Sequence, residues 1–189
     1  MKKLAIFGSG VGSNAENICD YFKNSSDIEV VLICTNNKDA FIVNRAKKLN
    51  IPLVFTSKTG LLKFDDLTKT LKNYDVDYII LAGFLLKIPS RMISAYPNKI
   101  INLHPSLLPK YGGKGMYGSN VHKAVLENKE IQTGITIHLV NQNYDEGKII
   151  KQYTCDVSKT ENLSSLESKI HKLEFSNFPQ TLEKYILKN

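Results

Sequence analysis

The sequence predicts an α/β protein with a mainly parallel sheet and helices on both faces. Seven short apolar runs rich in Val, Ile and Leu alternate with amphipathic segments, which is the pattern of linked βαβ units. Apolar side chains make up 42% and charged ones 23% of the 189 residues, which is ordinary globular usage and gives one domain. The first run, Leu4-Ala5-Ile6-Phe7, reads as a strand, and a helix over 14–23 follows, carrying Ile18, Cys19 and Phe22. A strand at 30–34 leads to a helix at 40–49, and a strand at 53–55 to a helix at 61–73. The run Tyr78-Ile79-Ile80-Leu81-Ala82 gives the fourth strand, with a short helix at 90–95. Strands at 100–103, 135–140 and 149–153 complete the set, with helices at 119–128 and 162–187. Ligands of such sheets bind at the carboxyl ends of the strands.

Charge and cysteine usage narrow the function. Lys and Arg total 25 against 18 Asp and Glu, a net charge of +7, and only Arg45 and Arg91 are arginines. The lysines are scattered rather than gathered in a stripe, so no nucleic-acid partner is expected; the positive field favours a small polyanion. No apolar run approaches the roughly 18 residues of a membrane span, so no membrane partner is expected. Cys19, Cys34 and Cys155 show no C-x-x-C spacing and no accompanying metal-ligand pattern, so neither disulfide nor metal is expected. The start Met1-Lys2-Lys3 resembles a secretion signal, but Gly8 cuts its apolar stretch short, and a reduced cytoplasm is the expected compartment.

After the first strand comes Gly8-Ser9-Gly10-Val11-Gly12-Ser13-Asn14, opening into a helix. Free backbone N–H groups and the helix dipole make such a turn an anion site. A dinucleotide is disfavoured: Ser13 stands where a third glycine belongs, and the second strand ends in Cys34-Thr35-Asn36-Asn37 with no acid to hold a ribose. A single phosphate on Gly12, Ser13 and Asn14 fits better.

Strand side chains alternate, so Asn102 and His104 project side by side at the carboxyl end of the fifth strand. Pro105 and Pro109 then hold the chain in a rigid loop. A second strand places Thr136, His138 and Val140 on one face and leads to Asp145 in a polar turn. An amide can donate to an oxyanion, a histidine can move a proton, and a carboxylate can orient the histidine. No Ser, Cys or Thr sits in a nucleophile-elbow context, so this is acyl-transfer equipment in which the acceptor amine attacks directly. Nearby, Tyr111-Gly112-Gly113-Lys114-Gly115-Met116-Tyr117-Gly118 reads as a mobile lid, its four glycines making ordering costly.

The string Asn102-Leu103-His104-Pro105-Ser106-Leu107-Leu108-Pro109-Lys110-Tyr111, with Asp145-Glu146-Gly147 downstream, closely resembles the folate-dependent formyltransferases. Leu81-Ala82-Gly83-Phe84 and Gly12-Ser13-Asn14 are similar to the branch that acts on glycinamide ribonucleotide. The resemblance implies a Rossmann-like formyltransferase fold and transfer of a formyl group from 10-formyltetrahydrofolate to that ribonucleotide in purine synthesis. It implies a phosphate- and nucleotide-binding half at 1–100 and a catalytic, folate-binding half at 101–189, in a monomer or homodimer.

Carried over, Asn102 and His104 would contact the formyl oxygen, and Asp145 would support His104 and relay the amine's proton. Gly12, Ser13 and Asn14 would hold the phosphate, with Gly83, Pro105 and Glu174 beside the rest of the ribonucleotide. Phe84, Leu85, Leu86, Ile88, Asn102, His138, Val140 and Asn141 would form the folate cleft. Where similar proteins carry Met-Arg after Gly-Phe, this chain has Leu85-Leu86, with Lys87 displaced by one. Other acceptors, methionyl-tRNA or an amino-sugar nucleotide, and a non-catalytic nucleotide-binding module remain alternatives.

Overall fold

A computed structural model describes all residues 1–189. The strands are β1 (Lys2–Phe7), β2 (Ile28–Thr35), β3 (Leu53–Phe55), β4 (Tyr78–Leu81), β5 (Ile100–His104), β6 (Gln132–Leu139) and β7 (Ile149–Asp156). The helices are α1 (Ser13–Phe22), α2 (Ile42–Lys48), α3 (Lys58–Lys63), α4 (Asp65–Asn73), α5 (Ser90–Ala95), α6 (Ser119–Glu127) and α7 (Leu163–Lys188). One sheet runs β3-β2-β1-β4-β5-β6-β7. Its first five strands are parallel, whereas β6 is antiparallel to both β5 and β7.

The period of two along each strand splits the core between the two faces. Leu4 and Ile6 of β1 join Ile18 of α1, Ile42 of α2, Val125 of α6 and Phe178 of α7 in one apolar cluster. Ala5 and Phe7, pointing the other way, join Leu61, Leu67, Leu71 and Met92 from α3, α4 and α5. The helix expected over 61–73 is two helices, because Phe64 adopts a left-handed conformation (φ 62°) that ends α3 and starts α4. Its ring is buried in the second cluster, which offsets the backbone strain. No helix is long and apolar enough to cross a membrane.

From β1 the chain winds outward to β2 and β3, then returns to place β4 on the other side of β1. The loops after β1 and β4 therefore leave the sheet in opposite directions and open a crevice at their carboxyl ends, where α/β sheets bind ligands.

Candidate active site

That crevice is a cavity of about 680 Å³, walled by the loops after β1, β4 and β5 and by residues of α6 and α7. On its β1 side the glycine loop is fixed from below. The Ile42 N–H donates to Gly10 O at 3.2 Å, and Arg45 Nε donates to Val11 O at 3.0 Å. Arg45 also pairs with Glu16 of α1. Gly12 has φ 76°, and a β-carbon there would lie 2.6 Å from Ile42 Cγ1, so only glycine fits. It also occupies the N-cap of α1, where no side chain caps the helix. The first-turn N–H groups are thus left for an external acceptor. Neither Ser13 nor Asn14 acts as a capping residue; the Asn14 amide instead donates to Glu174 Oε2 at 2.9 Å, across to α7.

Glu174 is buried, which pushes its carboxyl up; the Asn14 hydrogen bond and the neighbouring His171 pull it down, and burial prevails. Asn14 Oδ1 is buried with no partner, and so is His122 Nδ1. Both residues belong to the cavity wall. Buried polar atoms without a partner in a cavity wall call for a bound water or a ligand to satisfy them.

On the β5 side, Asn102 and His104 share a face as their spacing requires, paired across to His138 and Thr136 of β6. His104 is 4% exposed and its Nε2 lies 2.8 Å from Tyr111 O. A carbonyl can only accept, so the Nε2 carries hydrogen and the neutral ring keeps a bare Nδ1. That Nδ1 is 3.6 Å from Asp145 Oδ2. Burial lowers the His104 pKa, the Asp145 charge and the Tyr111 contact raise it, and the net effect is lowering. For Asp145, burial raises the pKa, but the approach of His138 and His104 and an N–H from Gly113 at 2.9 Å outweigh it and hold the carboxyl below its ordinary value.

Behind them His138 Nδ1 sits 2.9 Å from Leu139 O, so its Nε2 is free to accept from Asn102 Nδ2 at 3.0 Å. The amide of Asn102 is thereby oriented, its second N–H facing Asp145 Oδ1 at a long 3.5 Å. Asp145 reaches this point from a tight turn closed by Gly147, where a β-carbon would collide with Leu139 O. A neutral imidazole, an ionised carboxylate and an oriented amide can together move a proton and stabilise a developing oxyanion.

The remaining site residues expected from the sequence divide clearly. Gly83, Phe84 and Leu85 of the loop after β4, and Pro105 after β5, line the cavity. Leu86, Ile88, His138, Val140 and Asn141 do not. Ile88 is buried in the second core cluster, with Leu86 and Val140 packed against it. His138 lies behind Asn102, and Asn141 is exposed, accepting from its own turn at Asn143. Sequence reasoning missed His122, His171 and Tyr144, all of them in the wall, where Tyr117 of the expected lid also lies. The one signal was on α7, where His171 and Glu174 are spaced i, i+3 and so share a face. Lys87, the displaced basic residue, stands with its Nζ 5.3 Å from the Tyr144 ring at the mouth.

Comparison with known proteins identifies the family and the fold. The profile of the formyl transferase family matches residues 2–182. A chloroplastic phosphoribosylglycinamide formyltransferase of Arabidopsis thaliana is 40% identical over 182 residues, covering 91% of this chain and 62% of the plant protein. For the cowpea protein of the same name (Vigna unguiculata) the share covered is 60%, so the chain spans about three-fifths of the length of these plant relatives. The phosphoribosylglycinamide formyltransferase of Bacillus subtilis is 34% identical, with 98% of this chain and 95% of that one covered. The crystal structure of the enzyme of that name from Bacillus halodurans superposes with a TM-score of 0.87 at 32% identity, over 98% of this chain and 95% of that one. The chain belongs to the formyl transferase family.

Proposed function

We infer that this chain transfers the formyl group of 10-formyltetrahydrofolate to the amine of glycinamide ribonucleotide, a step of purine synthesis. One observation carries the reading: Asn102, His104 and Asp145 face the same cavity as the uncapped N-terminus of α1, joining acyl-transfer groups to a phosphate cradle. The names of the relatives support it.

The phosphate sits on the N–H groups of Gly12, Ser13 and Asn14, whose side-chain amide is already spent on Glu174. Glu174 accepts from the ribose. Folate enters past Phe84 and Leu85 and supplies the formyl carbon at the Asn102 end of the cavity. As the amine attacks, the Asn102 N–H that faces Asp145 over 3.5 Å turns to the developing oxyanion, a better-placed acceptor. The amine's proton passes to the bare Nδ1 of His104, where the new N–H faces Asp145, and from there to the departing folate nitrogen. Residues 1–100 thus hold the phosphate while 101–189 supply the catalytic groups. Cys19, Cys34 and Cys155 are free thiols.

The test is acceptor competition with one formyl donor. Glycinamide ribonucleotide should be formylated, whereas methionyl-tRNA and an amino-sugar nucleotide should not. Preference for either of the latter would replace this acceptor assignment.

A further inference from the structure

The segment that follows the catalytic strand holds an anomaly that the chemistry above does not use. Tyr111 has φ 56°, left-handed backbone that an aromatic residue rarely adopts. Such strain persists where surroundings over-determine it. Here they do so at several points. The Tyr111 phenol donates to Glu130 Oε1 at 2.9 Å, and Lys110 Nζ meets the same oxygen at 2.8 Å. Ser106 Oγ donates to Lys110 O at 2.7 Å, and Gly113 N–H reaches Asp145 Oδ2 at 2.9 Å. Glu130 lies on the turn between α6 and β6, outside the cavity wall.

The strained residue presents one group to the site, its main-chain oxygen, 2.8 Å from His104 Nε2. The geometry points to Tyr111 as a positioning residue, locked by Glu130, whose carbonyl selects the tautomer of His104. The proposal rests on the reading that His104 moves a proton, and adds what makes that possible.

The reason is competition between two acceptors. A neutral imidazole has a single N–H, and Asp145 and the Tyr111 carbonyl stand at its opposite nitrogens. A carboxylate is the stronger acceptor, so Asp145 alone would draw the hydrogen to Nδ1, as the buried carboxylate of a catalytic triad does. The bare nitrogen would then face the Tyr111 side, away from Asp145. The short contact to Tyr111 O, against 3.6 Å to the carboxylate, reverses the preference and keeps Nδ1 ready to receive a proton beside a counter-charge. Releasing the phenol removes one of the contacts that hold Tyr111 in its left-handed conformation, and so weakens the hold on its carbonyl.

The experiment is two-bond ¹H–¹⁵N correlation of the histidine rings, which separates the tautomers, alongside steady-state kinetics. The proteins are wild type, Tyr111→Phe and Glu130→Ala, with Glu130→Gln as the conservative variant that keeps an acceptor for the phenol. Tyr111→Phe retains the ring and its packing, so folding is preserved. In wild type His104 should show hydrogen on Nε2 alone. In Tyr111→Phe and Glu130→Ala the Nδ1–H form should appear, and kcat should fall about 3- to 10-fold, the equivalent of one net hydrogen bond. KM for both substrates should stay within about twofold, and Glu130→Gln should recover most of kcat. Hydrogen on Nδ1 in wild type, or no change of tautomer in either variant, overturns the proposal, whatever the kinetics. If wild type transfers no formyl group the function fails, while the tautomer readout still decides the latch.

Discussion

Replacing Gly12 with alanine separates the loop's architecture from its ligand. The new methyl group would sit 2.6 Å from Ile42 Cγ1, 2.8 Å from its Cβ and 3.0 Å from its Cα, at a backbone φ of 76°. Ile42 cannot yield, because its side chain is fully buried and its N–H is bonded to Gly10 O. Left-handed backbone costs a non-glycine residue about 1–2 kcal/mol, and overpacking adds about 1–3 kcal/mol, so the total loss is about 2–5 kcal/mol. At about 2–4 °C per kcal/mol for a chain of this size, Tm should fall by roughly 4–20 °C. Gly10→Ala is the contrast. A β-carbon there meets nothing within 4 Å, and the residue lines the cavity. That variant should keep its stability within about 0.5 kcal/mol yet raise KM for the phosphorylated substrate, since it adds bulk to the cavity wall beside the proposed phosphate cradle. Thermal unfolding without ligand and steady-state kinetics on both variants test this. Unchanged Tm in Gly12→Ala would refute the packing argument; unchanged KM in Gly10→Ala would refute the placement of the phosphate.

Further outcomes follow from the catalytic cluster and its loop. Asn102→Ala removes the oxyanion donor and should lower kcat about 10²- to 10³-fold with KM little altered, by steady-state measurement. His104→Ala and Asp145→Ala should be non-additive, the double variant losing little more kcat than the worse single one. The bare Nδ1 of His104 is the active form, and burial depresses its pKa below the ordinary 6.5, so kcat/KM should hold through pH 6.5 and fall only at lower pH as the ring protonates. An acid limb centred above 6.5 would contradict that environment. Trypsin should cut after Lys114 before Lys110, whose main chain and side chain are tied to Ser106 and Glu130, and bound substrates should slow the Lys114 cut. Equal cutting with and without ligands would remove the lid from the account.

Legibility in the sequence tracked the range of the interaction. Leu4-Ala5-Ile6-Phe7 is legible as a strand because its apolar run is local, and the strand period then sends its side chains to two faces. The same rule places Asn102 beside His104. The break at Phe64 was not legible, since neither glycine nor proline marks it and only burial of its ring sustains the conformation. Nor was the antiparallel pairing of β5 with β6, which depends on how the long connection returns. Leu86, Ile88 and Val140 lie in sequence beside the cavity, but their apolar side chains pack against the second core cluster. His122 and His171 were missed because their common cavity is formed only when α6 and α7 meet. The four glycines of 111–118 suggested freedom throughout, whereas Tyr111 and Gly113 are held to His104 and Asp145 by backbone groups that carry no signature in the sequence.

The most direct measurement follows one atom. With a ¹³C-formyl donor and saturating glycinamide ribonucleotide, the label should appear in N-formylglycinamide ribonucleotide in one-to-one proportion with the tetrahydrofolate released, and Asn102→Ala should slow its appearance without changing the product. Label that stays on folate, or that leaves as formate at the same rate with and without the ribonucleotide, would contradict direct transfer between the two substrates.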